Sequence, residues 1–141
     1  MLRVYPASKV KHAQKWLELQ ETNPYVFFHA RWLKTAKNEE NLGPESYPEL
    51  WRMCEQDVRS ADVLLAYVED GEVLKGALVE VGIAIASGVK VFAVGFKEGS
   101  WMYHKGVERF DTLEQAMFQI KIGTPNGCWD AMEKGEMGWM G

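Results

Sequence analysis

The sequence predicts an α/β protein with a doubly wound, Rossmann-like (flavodoxin-like) parallel sheet of about five strands flanked by helices. Residues 62–68 form a nearly continuous apolar run, which is typical of a strand buried on both faces of a sheet. A helical segment from Gly76 to Ser87 follows, and residues 89–94 predict a second buried strand. This strand–helix–strand unit predicts parallel pairing, and ligands of such sheets bind at the carboxyl ends of the strands.

The segments before this unit continue the alternation of strands and helices. A first strand is predicted from Leu2 to Tyr5 and is expected to end at Pro6. Ser8 is expected to cap a helix that runs to about Gln20. Beyond a turn at Asn23-Pro24, residues 25–28 predict a second strand.

The remaining elements complete one domain. Polar residues 36–44 predict a loop, and residues 46–60 predict a helix in which Asp57 lies beside the apolar stripe. A short strand over about 107–110 and an amphipathic helix over 112–121 follow the central unit. The predicted domain spans residues 1–124, and residues 125–141 form a C-terminal tail. The tail is rich in apolar side chains that favour docking on another surface: Trp129, Met132, Met137, Trp139 and Met140.

The composition is that of an ordinary globular domain. The 141 residues are 47% hydrophobic and 26% charged, with a net charge of -4. A pI of about 5.4 argues against a broad nucleic-acid-binding surface, because such surfaces are basic. The longest nearly apolar segment, residues 76–89, contains a glutamate and is too short to span a membrane. Two cysteines without a CxxC motif predict reduced thiols and a cytoplasmic protein, and no signal peptide is expected.

One carboxylate stands alone in the most apolar helix. Glu80 is the only charged residue from Gly76 to Val89, and a buried carboxylate is costly unless it is hydrogen-bonded or paired. We interpret Glu80 as the central carboxylate of a small-molecule site, where Gly76 allows close approach of a ligand. The alternative is a partly exposed glutamate that faces solvent.

Two other side chains are candidates for the same site. Tyr5 ends the first strand at the same sheet edge, where it is placed to donate a hydrogen bond to Glu80, although a core or rim tyrosine fits equally well. Asp57 lies one turn before the end of its helix, where a solvated carboxylate is the alternative. The residues alone therefore predict only a small-molecule site with a central carboxylate.

Three segments carry a family resemblance, in the order in which that family has them. The first is Tyr5-Pro6-Ala7-Ser8, similar to a YxAS opening. The second is Glu55-Gln56-Asp57 with Ala61-Asp62-Val63, similar to xxD-xxxx-ADxVV. The third is Gly76-Ala77-Leu78-Val79-Glu80-Val81-Gly82 with Ala84, Ala86, Gly88 and Val91, similar to GxxxE(L/I)GxAxxxGKxV. Together they resemble the nucleoside 2-deoxyribosyltransferase family, including its deoxynucleoside 5′-monophosphate N-glycosidase branch.

The resemblance implies a retaining enzyme that cleaves the N-glycosidic bond of 2′-deoxynucleosides and transfers deoxyribose to another nucleobase. Glu80 matches the nucleophile, which forms a covalent deoxyribosyl–enzyme, and Tyr5 matches the tyrosine that orients it. Asp57 matches a candidate acid–base or ribose-binding group, and Ser8 matches a position near the sugar 5′ side. The implied partners are a deoxynucleoside or deoxynucleotide and a free nucleobase, without a cofactor, a nucleic acid or a membrane.

The chain departs from the family pattern on the 5′ side of the sugar. The family usually has Asp or Ser six residues before the nucleophile, where this chain has Leu74. The preceding loop is longer and acidic over residues 69–72, and we select Asp70 as the substitute. This acidic loop favours an unphosphorylated nucleoside, although Lys75 and Lys9 offset its charge.

Further assignments rest on position alone. His29 and Trp32 follow the second strand and are candidates for the nucleobase pocket, with rim packing as the alternative. No His, Cys or Asp cluster has metal-ligand spacing, so no metal is predicted. Family members commonly form homo-oligomers in which neighbouring subunits complete the active site, so the tail becomes a candidate interface. Two other functions stay open: hydrolysis of deoxynucleoside 5′-monophosphates, and nucleotide binding or sequestration without turnover, which Leu74 keeps possible.

Overall fold

A computed structural model describes residues 1–36 and 43–123 of the chain. Their five strands form one sheet in the order β2-β1-β3-β4-β5, and every neighbouring pair is parallel. The strands are β1 (Leu2–Ala7), β2 (Val26–Phe28), β3 (Val63–Tyr67), β4 (Lys90–Val94) and β5 (Val107–Phe110). This arrangement confirms the predicted doubly wound α/β fold.

Five α-helices flank the sheet within the described part of the chain. They are α1 (Ala13–Thr22), α2 (Trp32–Thr35), α3 (Tyr47–Arg59), α4 (Gly76–Ala86) and α5 (Leu113–Gly123). Short 3-10 turns occupy Val10–His12, Pro44–Ser46 and Ser100–Tyr103. The sequence analysis did not predict α2, because a helix of four residues has too little periodicity to be recognised. None of the described helices is long and apolar enough to cross a membrane.

The central strands form the core. Residues 63–66 of β3 have no solvent exposure, and all five residues of β4 are buried. The strands buried on both faces are therefore the ones whose sequences are continuously apolar.

Strand β1 runs past Pro6 instead of ending there. The Val4 carbonyl accepts a hydrogen bond from the His29 amide on the β2 side, and successive residues of a strand alternate their hydrogen-bonding direction. Pro6 therefore faces the β2 side, where pairing with β2 already ends at Val4. The missing proline N–H costs no ladder bond at that position, so the strand continues to Ala7.

The expected helix cap at Ser8 is also wrong. Helix α1 begins at Ala13 after the 3-10 turn, and no side chain caps either element. The Ser8 hydroxyl instead accepts a hydrogen bond from Trp16 Nε1 at 2.9 Å and donates one to the Lys9 carbonyl at 3.0 Å. Trp16 is fully buried and needs this acceptor for its indole N–H.

A glycine closes the chain tightly after β4. Gly95 has a φ of +85°, a conformation that residues with side chains rarely adopt. A Cβ atom at this position would lie 2.2 Å from the Val68 carbonyl oxygen, which is closer than van der Waals contact permits. Both the turn and the packing of β3 beside β4 therefore require glycine.

The sheet order creates a crevice between β1 and β3. From β1 the chain crosses to β2 on one side, whereas β3 and β4 extend the sheet on the other. Ligands of open α/β sheets bind at such a switch point, outside the carboxyl ends of the strands. The predicted C-terminal tail, residues 125–141, and most of the loop predicted over 36–44 lie outside the described residues.

Candidate active site

A cavity of about 550 Å³ opens at this crevice. Four stretches of chain line it: residues 8–11 after β1, the segment around α2, the first half of α3, and residues 74–80 at the start of α4. The structure thus places the cavity at the strand edge that the fold class predicts for a ligand.

Glu80 lies on the wall of this cavity and is buried, with 8% of its surface exposed. The buried positions of α4 are Ala77, Glu80, Val81 and Ala84, which share one helical stripe. Glu80 therefore belongs to the face that packs inward, and a solvent-facing glutamate is excluded.

Tyr5 supplies the partner of this carboxylate. The Tyr5 hydroxyl, on β1, donates a hydrogen bond to Glu80 Oε2 on α4. Tyr5 is fully buried and is not among the cavity-lining residues, so it supports Glu80 from behind. Burial, together with the nearby Glu80 charge, raises the pKa of Tyr5 far above its usual value, so the phenol stays a hydrogen-bond donor.

Burial also changes the titration of the carboxylate itself. Desolvation raises the pKa of Glu80 to about 7, and hydrogen bonds with Tyr5 and Cys54 oppose that rise. Near neutral pH, Glu80 is therefore divided between the carboxylate and the carboxylic acid. A carboxyl group of this kind can act as a nucleophile or exchange a proton at physiological pH.

Cys54 completes the buried group, and the sequence analysis did not single it out as a site residue. It lies on α3, lines the cavity and is buried. Burial raises the pKa of its thiol to about 11, so the group is protonated at neutral pH. Its place on the apolar stripe, one turn before Asp57, was a signal that it faces the sheet.

Three lysines line the cavity around this group: Lys9, Lys11 and Lys75. None of the acidic residues from 69 to 72 lines it. Lys11 Nζ lies 3.2 Å from a Glu72 carboxylate oxygen, so one lysine is partly neutralised. The described part of the cavity wall therefore has more basic than acidic side chains, which favours an anionic ligand.

The cavity wall also contains aromatic side chains. Trp32, Tyr47 and Trp51 line the cavity from α2 and α3. Trp32 Nε1 donates a hydrogen bond of 3.1 Å to the Pro6 carbonyl, which fixes the indole against β1. The Trp51 ring packs beside the backbone of Gly76, where an added Cβ would lie 3.5 Å from the ring. Aromatic side chains of this kind can pack against the flat face of a heterocyclic ring.

Several predicted site residues lie together in the cavity. The ones that line it are Ser8, Trp32, Gly76 and Glu80. Tyr5 does not line the cavity but is hydrogen-bonded to Glu80, which does. Leu74, at the position where the resembled family has a polar residue, also lines it and is buried. Sequence reasoning did not identify the aromatic contributions of Tyr47 and Trp51.

Two predicted substrate-binding residues lie elsewhere. Asp70 is almost fully exposed, contacts Lys97 at 3.0 Å, and borders a separate pocket of about 300 Å³. His29 bonds to the Ser60 hydroxyl at 2.7 Å and does not line the cavity. The structure therefore places neither Asp70 nor His29 on the cavity wall, which differs from both predictions.

Asp57 is the third predicted residue outside the cavity wall. It is buried, and its carboxylate accepts hydrogen bonds from the Arg31 backbone N–H at 2.8 Å and from Arg31 Nε at 3.1 and 3.2 Å. Asp57 therefore does not line the cavity, and its carboxylate is paired with Arg31.

Among the described residues, one group has atoms suited to a metal ion. His12 Nε2 lies 2.8 Å from Glu72 Oε2 and 3.9 Å from Glu69 Oε1. The sequence analysis missed this group because His12 is far from the two glutamates along the chain. Lys11 and Lys15 contact the same carboxylates, so both already have cationic partners.

The fold and site define a doubly wound α/β protein with a buried carboxylate at its switch-point cavity. No family model matches the sequence, and no curated protein matches it. A solved structure does match: Clostridium botulinum CMP N-glycosidase, BcmB, with a TM-score of 0.53 and 14% sequence identity. The match covers 85% of this chain and 98% of that chain, and it confirms the fold.

Proposed function

We propose that this protein is an enzyme that cleaves the N-glycosidic bond of a nucleoside 5′-monophosphate. The observation that carries the proposal is the buried Glu80, held by Tyr5 at the wall of a cavity that is also lined by lysines and aromatic side chains. The shared fold with a protein named as a CMP N-glycosidase supports the same class of reaction.

In the proposed mechanism, ionised Glu80 attacks the anomeric carbon of the sugar. The carbon–nitrogen bond breaks, its electron pair leaves with the nucleobase, and the base takes up a proton from solvent, which the attacking water returns in the second step. The transition state resembles an oxocarbenium ion, which an adjacent carboxylate stabilises. Water then attacks the glycosyl–enzyme ester at the same carbon, which frees Glu80 and gives the sugar phosphate with net retention.

The phosphorylated substrate is favoured by the charges on the cavity wall. Lys9 and Lys75 lie on the stretches that follow β1 and β3, and neither has an acidic partner within 4 Å among the described residues. These lysines offer a phosphate the contacts that apolar Leu74 lacks. The sequence analysis used the acidic loop of residues 69–72 to favour an unphosphorylated nucleoside. None of these residues lines the cavity.

The test is product analysis with a panel of ribonucleoside and 2′-deoxynucleoside 5′-monophosphates and the matching nucleosides. Chromatography should show free base and sugar phosphate released from at least one monophosphate. Glu80→Gln, which keeps size and hydrogen bonding but removes the nucleophile, should release none. Failure of the wild type to cleave any member of the panel would overturn the proposal, and so would turnover by Glu80→Gln.

The second candidate is nucleoside 2-deoxyribosyl transfer, which the order of sequence motifs favours. It shares the Glu80 intermediate, but a second nucleobase replaces water. Adding an excess of a different free base to a deoxynucleoside would then give a new nucleoside instead of free deoxyribose. A protein that binds a monophosphate tightly but cleaves nothing would instead be a nucleotide-sequestering protein on this fold.

A further inference from the structure

Arg31 and Asp57 form a brace behind the cavity wall. Arg31 Nη2 lies 3.0 Å from Asp57 Oδ1, and the guanidinium also donates to the Met53 carbonyl at 3.3 Å and to Gln56 Oε1 at 2.9 Å. Together with the backbone N–H contact, this side chain engages two turns of α3. The Asp57 side chain is 7% exposed, whereas the Arg31 side chain is 44% exposed, so the carboxylate is shielded from solvent and the guanidinium is partly hydrated.

The brace joins the two elements that carry the aromatic wall. Arg31 immediately precedes α2, which contributes Trp32 to the cavity. Asp57 lies one turn beyond Cys54 on α3, the helix that contributes Tyr47 and Trp51. This ion pair therefore helps to set the position of α2 relative to α3, and with it the spacing of the aromatic side chains.

Helix α2 is held in place by core packing of Trp32 and Leu33 and by a few polar contacts. It is four residues long and has no side-chain cap at its start. An isolated helix of that length is not stable, so tertiary contacts must fix it. Besides the core packing, the long-range polar contacts at this end of the chain segment are the Trp32 bond to Pro6 and the Arg31 bonds to α3.

We propose that Asp57 is a positioning residue, which sets the aromatic wall through Arg31 and does not exchange protons with the substrate. This inference rests on the proposed function for its kinetic consequences. It departs from the acid–base or sugar-binding role that the sequence resemblance implies for Asp57. The geometry supports the departure, because the carboxylate is outside the cavity wall and is already bound by a guanidinium.

The kinetic test compares Asp57→Asn, Arg31→Gln and Arg31→Lys with wild type on the best monophosphate from the panel. For Asp57→Asn and Arg31→Gln we expect KM to rise about fivefold or more while kcat stays within about threefold. Arg31→Lys keeps the charge and should recover part of the loss. The two neutralising changes should be non-additive when combined, because they remove the same interaction.

A general acid would give a different result. Its removal lowers kcat by about a hundredfold or more and eliminates one limb of the pH profile. That outcome for Asp57→Asn, with Arg31→Gln close to wild type, would overturn the proposal. The matched control is Glu55→Gln, which breaks an exposed ion pair with Arg59 on the same helix and should change neither parameter.

Hydrogen exchange tests the brace without any activity. Amides of residues 32–36 should exchange at least about tenfold faster in Arg31→Gln than in wild type, while β3 amides stay protected. Unchanged exchange at 32–36 would refute the positioning role even if the enzyme is active. If no substrate is cleaved but exchange rises as expected, the proposed function fails and the brace stands. Should Asp57→Asn fail to fold, Arg31→Gln and Arg31→Lys still decide the question.

Discussion

The phenol of Tyr5 on β1 donates a hydrogen bond to the carboxylate of Glu80 on α4, and both side chains are buried. This one contact connects the first strand to the helix that follows the third. It couples the titration of a candidate nucleophile to a group that does not line the cavity. The first prediction tests that coupling directly.

Tyr5→Phe should move the acidic limb of the pH–activity profile to higher pH. Glu80 has a pKa of about 7, and the hydrogen bond from Tyr5 lowers it. Removing the hydroxyl takes away a hydrogen bond that lowers the Glu80 pKa, so the pKa rises further and a higher pH is needed to ionise the carboxyl group. We expect a shift of about half to one pH unit in the log(kcat/KM) profile. An unmoved limb would contradict the assignment of that limb to Glu80.

Glu80→Gln should remove a pH-dependent loss of stability. Because the folded state raises the Glu80 pKa from 4.5 to about 7, it binds more protons than the unfolded state between those values. The unfolding free energy of wild type therefore falls as pH rises through this window, by about 3 kcal/mol from this group. Urea unfolding at pH 5 and pH 8 measures the difference. Glu55→Gln is the control and should keep the wild-type dependence.

Lys75→Ala should weaken binding of monophosphates selectively. An ammonium group beside a phosphate contributes charge-assisted hydrogen bonds that a nucleoside cannot make. KM for a monophosphate should rise about five- to tenfold, and the effect should shrink at high salt. Binding of the matching nucleoside should change little. Lys105→Ala, at an exposed residue outside the cavity, is the control, and equal losses for both ligands would contradict the phosphate assignment.

The Cys54 thiol should resist alkylation in the folded protein. With a pKa of about 11, it is almost entirely protonated at pH 8, and it is buried. In a Cys128→Ser background, iodoacetamide should react at least about a hundredfold more slowly than with the urea-unfolded protein. Mass spectrometry follows the single adduct. Rapid stoichiometric labelling of the folded protein at pH 8 would show that the thiol is exposed or ionised.

Truncation after Gly127 should lower the oligomeric state, because we propose that the Trp/Met-rich tail packs on a second subunit. The prediction rests on the sequence of residues 128–141, which contains two tryptophans and three methionines. Light scattering of the full chain and the truncated chain measures the mass directly. Equal masses would remove this role for the tail.

Much of the fold could be predicted because the clearest sequence patterns, the long apolar segments, are also those whose burial contributes most to the free energy of folding. Strands β3 and β4 and helix α4 are apolar except for Lys90 and Glu80, and burial fixes such segments with little ambiguity. The errors occurred where a single contact outweighs local preference. Pro6 lies inside β1 because it faces β2 beyond the last paired residue of that strand. Ser8 accepts a hydrogen bond from Trp16 instead of capping a helix.

The candidate site also contains residues that the sequence predicts and residues that it does not. Glu80 was recognisable because a lone charge in an apolar helix must be satisfied, and its partner Tyr5 was inferred from the shared sheet edge. Asp57, Asp70 and His29 were not distinguishable from cavity residues, because their pairing with Arg31, Lys97 and Ser60 depends on the course of the loops. Sequence spacing contains no information about which neighbour a loop brings near.

The turn at Gly95 provides a criterion for sequence searches. Its backbone conformation and the adjacent Val68 carbonyl leave no space for a side chain, so drift cannot change this position without changing the turn. A search template can require Tyr5, Glu80 and Gly95 together. The glycine is required by the backbone turn, and the tyrosine and glutamate are required by the proposed chemistry. Such a template can be applied to chains whose overall sequence identity to this one is low.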